Sequence, residues 1–158
     1  MKISIIVAFA SENRVIGASG TLPWHIKEDL ERFKAITMGH CCVVGFNTFA
    51  TLPILQGRHL IVLSKHHSVN TASAEVTCSV EEAIHIAEAR GESELFCIGG
   101  EQTYKAFLSR ADKIYTTEVF GHYDGDAFFP VFDEKKYLVT ATEHCINFAF
   151  KTYEKILI

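Results

Sequence analysis

Short apolar runs alternate with stretches of helical periodicity along this chain, and that alternation limits the possible folds more than any other feature. The runs are rich in β-branched side chains, as strands are. They lie at Ile3–Ala10, Cys41–Val44, His59–Leu63, Leu95–Ile98 and Lys113–Val119. Strands that alternate with helices are joined by right-handed crossovers. The sequence therefore predicts an α/β fold with a mixed, mostly parallel central sheet and helices on both faces.

Start and end signals mark two helices and the last two strands. Ser79-Val-Glu-Glu82 is a capping box for a helix that ends near Gly91. A second helix is predicted over Glu101–Ser109 from its apolar spacing. Tyr137–Cys145 and Phe148–Leu157 are strand-like stretches separated by two residues, too few for a helix. They predict antiparallel C-terminal strands at the edge of the sheet.

Composition narrows the class of protein. The 158 residues, 48% of them hydrophobic, suffice for one domain, placed at residues 1–158. A net charge of −4 argues against a nucleic-acid surface. The apolar N-terminal run lacks a convincing cleavage site, and no run reaches the ~18 residues that cross a membrane. We therefore expect a cytoplasmic protein that does not span a membrane.

The cysteines and histidines indicate neither a disulfide framework nor a metal centre. The five cysteines show no CxxC spacing, and Cys97 lies inside an apolar run. We expect reduced thiols that serve as small buried side chains. The eight histidines include no HxxxH pair and no cluster with cysteine, so no metal ion is expected.

Asp29 is the one acid on the apolar stripe of a predicted helix. Ile26, Asp29, Leu30 and Phe33 have the i, i+3, i+4, i+7 spacing of one helical face, which predicts apolar surroundings for the carboxylate. A carboxylate is costly to bury without a function. A glycine-bearing loop, residues 17–22, places Asp29 near the mouth of a cleft. A structural role stays open, because an acid in the first helical turn gains ~0.3–1 kcal/mol from the helix dipole.

Several strand ends carry glycines or polar donors that suit an anionic ligand. Gly99-Gly100 separates a strand from a helix start, which favours a pyrophosphate, although a tight turn alone would also explain the pair. Residues 43–48 and Leu63-Ser64-Lys65 supply hydroxyl and ammonium donors, or else form solvated turns. Arg58 either forks onto a carboxylate or lies in solvent. Thr117, on an apolar strand, needs a hydrogen-bond partner.

In their order and spacing these features resemble dihydrofolate reductase over essentially the whole chain. The matching residues are Ile6-Val-Ala-Phe-Ala10, Asn13-Arg-Val-Ile-Gly17, Leu22-Pro-Trp24, Asp29-Leu30, Phe33-Lys34, Gly45 with Thr48, Gly57-Arg58, Leu63-Ser64, Ile98-Gly-Gly100, Tyr104, Thr117 and Gly125-Asp126. The resemblance implies NADPH-dependent reduction of 7,8-dihydrofolate to tetrahydrofolate for one-carbon metabolism. Hydride would pass to C6 of the pterin and a proton would be added at N5.

The resemblance gives Asp29 the central role of orienting the pterin through a pair of hydrogen bonds, with Thr117 bonded to the same acid. A water would deliver the proton. Leu22 and Trp24 would shape the loop that admits this water and covers the nicotinamide, and Tyr104 would stand beside the nicotinamide. The implied substrate residues, with Arg58 on the glutamate α-carboxylate, are Ile6, Val7, Asp29, Leu30, Phe33, Leu52, Leu55, Arg58, Ile98 and Thr117.

The implied cofactor is NADPH. Gly99-Gly100, joined by a cis peptide bond, and the helix that starts at Glu101 would hold the pyrophosphate. Ser64 and Lys65 would take the 2′-phosphate side. The implied cofactor residues are Ala8, Ile16, Gly17, Gly45, Phe46, Asn47, Thr48, Leu63, Ser64, Lys65, Gly99, Gly100, Glu101, Gln102, Thr103 and Tyr104.

Two departures from the family pattern concern the binding of the cofactor and the binding of the substrate's tail. Phe46 stands where the family usually has an arginine on a cofactor phosphate, so compensation by Lys65, His66 or His67 is expected, with Lys65 as our hypothesis. Otherwise cofactor affinity and the preference for NADPH would be weakened. Residues 48–57 are shorter than in many relatives, and Ala50 replaces a commonly acidic residue. An altered response to trimethoprim-like antifolates is therefore one open expectation.

Two other functions share parts of this pattern. A pyrimidine reductase of the riboflavin pathway has the same architecture, but the set Pro23-Trp24, Asp29 and Phe33 favours a pterin. A catalytically silent pterin- or nucleotide-binding module would explain Phe46 but not a buried Asp29. The expected partners are dihydrofolate and antifolate inhibitors, without nucleic acid or membrane, and a monomer is expected.

Overall fold

The computed structural model describes residues 1–18, 22–66 and 74–157. The strands in these ranges are β1 (Lys2–Ala10), β2 (Val15–Gly17), β3 (Cys41–Gly45), β4 (His59–Leu63), β5 (Ala74–Thr77), β6 (Glu94–Cys97), β7 (Lys113–Val119), β8 (Ala127–Phe128), β9 (Tyr137–His144) and β10 (Phe148–Lys155). The helices are α1 (Lys27–Thr37), α2 (Phe46–Phe49), α3 (Val80–Ala89) and α4 (Glu101–Leu108), with a 3-10 turn at Glu134–Lys136.

The main sheet has eight strands in the order β5-β4-β3-β6-β1-β7-β10-β9. The first six strands in this order pair in parallel, and β10 pairs antiparallel with both β7 and β9. The mostly parallel sheet with an antiparallel edge is confirmed. The predicted strands and helices agree with the observed ones to within one or two residues at each end.

Two apolar clusters cover the two faces of the sheet. Successive residues of a strand point to opposite faces, so Ile5 and Val7 of β1 lie in one cluster and Ile6 in the other. The first cluster includes side chains of α3 and α4, and the second is packed against α1 and α2. The helices therefore lie on both faces, as predicted.

Short elements escaped the sequence prediction. The four residues of β5 have too little pattern to show as a strand, and β2 and β8 pair as a separate two-stranded ribbon. The ribbon depends on contacts that are remote in sequence, including the N–H of Asp126, which donates to Gly17 O at 3.0 Å. The stretch Ser68–Ser73, expected to be a surface loop, lies outside the described residues, as does His67.

The capping box at Ser79 is confirmed, since its Oγ accepts the N–H of Glu82 at 3.1 Å. Cys41, Cys42 and Cys97 are buried as expected, and burial raises the pKa of the Cys42 and Cys97 thiols to about 12. Cys78 is exposed, so the expectation of a buried side chain is wrong there, and Cys145 is only half-buried. Cys78 directly follows β5.

Among the described helices, none combines the length and apolarity needed to cross a membrane. Within the described ranges, no three His, Cys, Asp or Glu side chains come close enough together to hold a metal ion.

Candidate active site

Asp29 lies in the first turn of α1, half-buried and facing β7. The hydroxyl of Thr117 donates to Asp29 Oδ1 at 2.5 Å, so the expected contact between the two residues is present. Burial raises the pKa of Asp29, while the Thr117 hydrogen bond and the charge of Arg32 act against that rise. The carboxylate is thus held by one hydroxyl and one remote cation, and it has acceptor capacity left for a ligand.

Arg32 is a site residue that sequence reasoning missed. Its Nη1 donates to Thr116 O at 3.2 Å, and its guanidinium lies 4.4 Å from the centre of the Phe150 ring. This anchoring fixes a positive charge one helical turn after Asp29. The i, i+3 spacing of the two residues could have revealed the pair.

The apolar stripe of α1 does not pack into the core as its periodicity suggested. Leu30 is 46% exposed, and Thr37 is the buried residue of the helix. Half-buried side chains that lie against the second apolar cluster, next to Ile6, are Phe33, Leu52, Leu55 and Ile98. The stripe is therefore partly exposed, at Leu30, and partly packed against the second cluster, at Phe33.

Val7 does not share this wall. Its side chain is buried in the first cluster, on the opposite face of the sheet from Ile6. The physical reason is the two-residue repeat of a strand, which cannot turn neighbouring side chains to the same face. The Val7 side chain therefore lies on the other face from Ile6, and the predicted place of Val7 in the pterin pocket stays a prediction.

Arg58 is buried, with 9% of its surface exposed, so a solvated strand-end arginine is excluded. Its Nη1 donates to Thr37 Oγ1 at 3.4 Å, and the described residues provide no acceptor for its buried Nε. Arg58 also lines a cavity of about 450 Å³, together with Gly39, His40, Cys41, Gly57, His59, Arg90, Gly91 and Glu92. A buried guanidinium with an unpaired N–H is suited to a carboxylate ligand.

A groove of about 800 Å³ runs along the carboxyl ends of β3, β4 and β5 and the start of α4. It brings together eleven of the sixteen predicted cofactor residues: Gly45, Phe46, Asn47, Thr48, Leu63, Ser64, Lys65, Gly100, Glu101, Gln102 and Thr103. It also contains His66, one of the three residues expected to compensate for Phe46. The groove residues that sequence reasoning did not assign to the cofactor are Cys78, Ser79, Val80, Ala106 and Asp126. Recognition of β5 as a strand would have indicated Cys78–Val80, which follow its carboxyl end.

The other five predicted cofactor residues do not line this groove. Tyr104 is buried, and its hydroxyl donates to Ile6 O at 2.9 Å. A Cβ placed on Gly99 would lie 3.3 Å from that hydroxyl, so the two residues pack closely. Ala8 and Gly17 are half-buried, and Ile16 packs against the first cluster.

Close packing at two glycines fits the groove to a phosphate group. A Cβ on Gly45 would come within 2.7 Å of Thr103 Oγ1, and a Cβ on Gly100 within 2.7 Å of Thr48 Oγ1. Because both glycines lack this atom, the backbone of Gly45 lies directly beside the Thr103 hydroxyl of α4, and that of Gly100 beside the Thr48 hydroxyl of α2. The expected cis bond between Gly99 and Gly100 is present. Such a cradle suits a pyrophosphate.

The segments that flank β2 and β8 contact each other, and one of them contacts Trp24. Asn13 Nδ2 donates to Tyr123 O at 2.7 Å, and the guanidinium of Arg14 donates to Phe129 O at 3.0 Å and to Pro130 O at 2.8 Å. Trp24 packs edge-on against Tyr123, with ring centres 5.1 Å apart. Leu22 is 51% exposed, and residues 19–21 lie outside the described ranges.

We expect Gly125→Ala to disrupt this ribbon. The added Cβ would lie 2.5 Å from Gly17 O and from Val15 Cγ1, and a backbone atom cannot move aside cheaply. Overpacking of this kind costs about 1–3 kcal/mol, measured as the free energy of unfolding in urea. We also expect a slower catalytic step, because the loop before Asp29 loses its support.

Gly121→Ala is the matched control for that variant. Gly121 has φ +117°, but a Cβ there would lie 3.9 Å from its nearest neighbours, Glu12 Oε2 and Tyr123 Cε2. It should lose stability through backbone strain while the ribbon stays paired. Equal activity in the two variants would contradict the role assigned to the ribbon.

The sequence profile of the dihydrofolate reductase family matches residues 2–155. The chain is 36% identical to dihydrofolate reductase HdrB of Haloferax volcanii, over 96% of this chain and 82% of that protein. It is 34% identical to the dihydrofolate reductase of Staphylococcus haemolyticus, over 99% and 97% of the two chains. These relatives favour the reductase over the riboflavin-pathway enzyme and the silent module.

A solved structure gives the same assignment. Dihydrofolate reductase from Enterococcus faecalis, complexed with NADP(H) and RAB-propyl, superposes with a TM-score of 0.87 at 29% identity, over 98% of this chain and 96% of that one. The match therefore includes both the main sheet and its antiparallel edge. With the profile and the curated relatives, it shows that this chain belongs to the dihydrofolate reductase family.

Proposed function

We propose that this chain reduces 7,8-dihydrofolate to 5,6,7,8-tetrahydrofolate with NADPH, and that Asp29 orients the pterin for that reaction. The observation that carries the proposal is that α1 holds the Asp29–Thr117 pair in its first turn and contacts Arg58 through Thr37 at its last residue, and we infer a substrate cleft between the two. Asp29 and Thr37, the partner of Arg58, are eight residues apart on α1. At 1.5 Å per residue that is roughly 12 Å. A pterin at one end, an aryl ring and a terminal carboxylate match this span.

The cleft residues divide the binding of the substrate among them. The ionised Asp29 would accept two hydrogen bonds from the pterin edge, while Thr117 fixes the orientation of the carboxylate. Arg58 would receive the α-carboxylate at the far end. The apolar side chains proposed to enclose the rings between these two anchors are Ile6, Leu30, Phe33, Leu52, Leu55 and Ile98.

The groove would bind NADPH in one orientation. In the sheet order, β1, β6 and β3 lie between the Asp29 end, at β7, and the ends of β4 and β5. A ligand that brings its nicotinamide to the pterin and its pyrophosphate to Gly100 must therefore place its adenosine toward Leu63, Ser64 and Lys65. When bound, NADPH supplies the hydride that reduces C6 of the pterin.

The residues near the reaction centre would exclude bulk water and admit a single proton donor. Tyr104, held by its hydrogen bond to Ile6, and Trp24 would border the nicotinamide, and Leu22 would cover it. Trp24 Nε1 is buried without an acceptor among the described residues, so it is free to bind the water that protonates N5. Asp29 remains the anchor of the pterin.

The direct test is the loss of NADPH absorbance on addition of dihydrofolate to the purified chain. We expect turnover that requires both reactants. A methotrexate-like pterin analogue is the control and should inhibit this turnover. Absence of turnover, or turnover of a ribosylated pyrimidine instead, would refute the proposed function.

We also propose that the chain acts as a monomer in the cytoplasm. Five free cysteines suit the reducing conditions of that compartment.

Lys65→Ala tests how the chain compensates for Phe46. Lys65 is exposed at the groove beside Ser64, where its ammonium can approach a 2′-phosphate. Loss of this charge should weaken the binding of NADPH roughly tenfold. The binding of NADH should stay the same, because NADH lacks the 2′-phosphate. The measurement is kcat/KM for each cofactor, with His66→Ala for comparison. An unchanged ratio of NADPH to NADH efficiency in Lys65→Ala would show that Lys65 does not compensate.

A further inference from the structure

Asp29 and Arg32 attach α1 to β7 at two neighbouring points. Thr117 donates to the Asp29 carboxylate, and Arg32 Nη1 donates to Thr116 O at 3.2 Å. Residues three apart on a helix lie on one face, and Thr116 and Thr117 are consecutive in the strand. The face of α1 that carries Asp29 is therefore held against β7 by both residues, and the charge of Arg32 has a fixed place.

The guanidinium of Arg32 lies over a row of side chains that crosses the sheet. In the strand register, Thr117 of β7 is opposite Phe150 of β10, and Phe150 is opposite Glu143 of β9. Opposite residues point to the same face of a sheet, so these three side chains lie on the face covered by α1. The guanidinium is 4.4 Å from the centre of the Phe150 ring, in the middle of the row. It therefore lies between Asp29, which is bonded to Thr117, and Glu143.

The titratable groups around Asp29 and Arg32 come from three further elements. Glu143 of β9 acts on Arg32 but is exposed, where water and salt screen its charge. Tyr115 of β7 faces Arg32, with its ring centre 5.9 Å away, and Tyr104 of α4 acts on Asp29. Burial raises the pKa of both phenols, so they are uncharged at neutral pH. Arg32 is therefore the cation that acts on the Asp29 carboxylate.

An ionised Asp29 needs a cation nearby because the site is half-buried. Burial favours the neutral acid and raises the pKa of this carboxyl. A protonated carboxyl carries a donor where an acceptor is needed, so it cannot accept the pair of hydrogen bonds proposed to come from the pterin. An arginine stays charged over the whole pH range in which proteins work. Arg32 thus supplies a positive charge that does not titrate together with Asp29.

We propose that Arg32 is a positioning residue whose anchored charge keeps Asp29 ionised, and thereby able to accept the hydrogen bonds of the pterin. This inference rests on the proposed function. In it Arg32 touches neither reactant, because its guanidinium is committed to Thr116 O and to the Phe150 ring. Removal of its charge should therefore change the ionisation of Asp29 first, and the reaction only as a consequence.

NMR measures the ionisation of Asp29 without any turnover. In protein made with isotope-labelled aspartate, the signal of the Asp29 carboxyl carbon shifts as the group titrates, and Asp29→Asn identifies that signal by its absence. Arg32→Met and Arg32→Gln remove the charge, and both should move the titration midpoint of Asp29 to higher pH. Met keeps the apolar contact with Phe150 and Gln keeps a side-chain donor, so the two neutral variants disturb the fold in different ways.

Two further variants separate the charge of Arg32 from its bulk and from the charge of the helix as a whole. Arg32→Lys keeps a cation at this place, so Asp29 should titrate close to the parent midpoint. Lys34→Met is the matched control, because it removes an exposed positive charge from the same helix. Its midpoint for Asp29 should equal that of the parent, since solvent screens the charge of Lys34.

The acid side of the pH profile of kcat/KM should follow the same order. In Arg32→Met and Arg32→Gln, kcat/KM for dihydrofolate should begin to fall at a higher pH than in the parent. One pH unit below its midpoint about a tenth of Asp29 stays ionised, so the loss there should be about tenfold. Arg32→Lys should follow the parent profile. A parent without turnover would refute the proposed function, and the NMR titration would still decide whether Arg32 keeps Asp29 ionised.

Four results would overturn the role of Arg32. An Asp29 midpoint that is the same in the parent and in both neutral variants would show that the charge does not act on the carboxylate. A midpoint as high in Arg32→Lys as in Arg32→Met would assign the effect to packing, and an equal change in Lys34→Met would assign it to the helix as a whole. A pH profile of kcat/KM that stays at the parent position while the NMR midpoint moves would show that the ionisation of Asp29 does not govern pterin binding.

Discussion

Replacing Asp29 with asparagine is expected to lower kcat/KM for dihydrofolate by about 100-fold or more, while the folded chain becomes more stable at neutral pH. The amide cannot accept the paired hydrogen bonds that orient the pterin, and misplaced reactants cost about two orders of magnitude in rate. The hydroxyl of Thr117 still has an oxygen to donate to. Steady-state kinetics and urea denaturation of the same two proteins measure both effects.

The stability effect has a defined pH dependence. Burial raises the pKa of Asp29, so the folded chain holds this proton more tightly than the unfolded chain does. The stability that this group provides is complete below the unfolded pKa of ~3.9 and is lost as the pH rises through the raised folded pKa. Asparagine does not titrate. Above about pH 4, the free energy of unfolding of Asp29→Asn should therefore rise relative to that of the parent. The difference between the two should become constant once folded Asp29 is fully ionised.

Glu28→Gln is the matched control, because Glu28 lies in the same first turn of α1 but is exposed. If Asp29 served only the helix dipole, both substitutions would destabilise the helix by a similar amount and neither would affect catalysis. Full activity of Asp29→Asn near neutral pH would refute the anchoring role. A loss of stability in that variant would show that the dipole outweighs the cost of burial.

The sequence predicts the parts of the fold that have a local cause. Strand length, β-branched content and the capping box at Ser79 are local properties, and the sheet, the hairpin and α3 followed from them. The acid at Asp29 was recognisable because helical spacing shows which face it occupies. Its surroundings were less predictable, since periodicity does not reveal whether an apolar face meets a core or borders a cleft.

Contacts between remote segments are what the sequence could not supply. The bond from Phe128 to Glu101 and the packing of Gly125 on Gly17 each depend on where two loops meet. Neither has a repeat or a spacing that marks it. Arg58 shows the same limit, because its position after Gly57 suits a solvated arginine as well as the buried one that the structure has.

Arg58→Leu is expected to raise the KM for dihydrofolate by roughly 10- to 150-fold with little change in kcat. A hydrogen bond to a charged group contributes about 1.5–3 kcal/mol, and a tenfold change in affinity corresponds to about 1.4 kcal/mol. The lost contact lies at the tail of the substrate, roughly 12 Å along α1 from Asp29, so binding weakens while the reacting ring keeps its orientation. Steady-state kinetics with NADPH at saturation give both constants.

A truncated substrate distinguishes a lost clamp from a damaged fold. Dihydropteroate lacks the glutamate carboxylate, so Arg58→Leu should reduce it with the parent kcat/KM, whereas general damage would lower the rate for both substrates. Arg58→Lys keeps the charge but not the two-pronged geometry, and it should fall between parent and Leu variant. Arg90→Leu removes the exposed arginine of the same cavity and should have a much smaller effect on KM. If Arg90→Leu raised KM as much as Arg58→Leu, the carboxylate would not be bound by Arg58 alone, and the clamp assigned to it would be refuted.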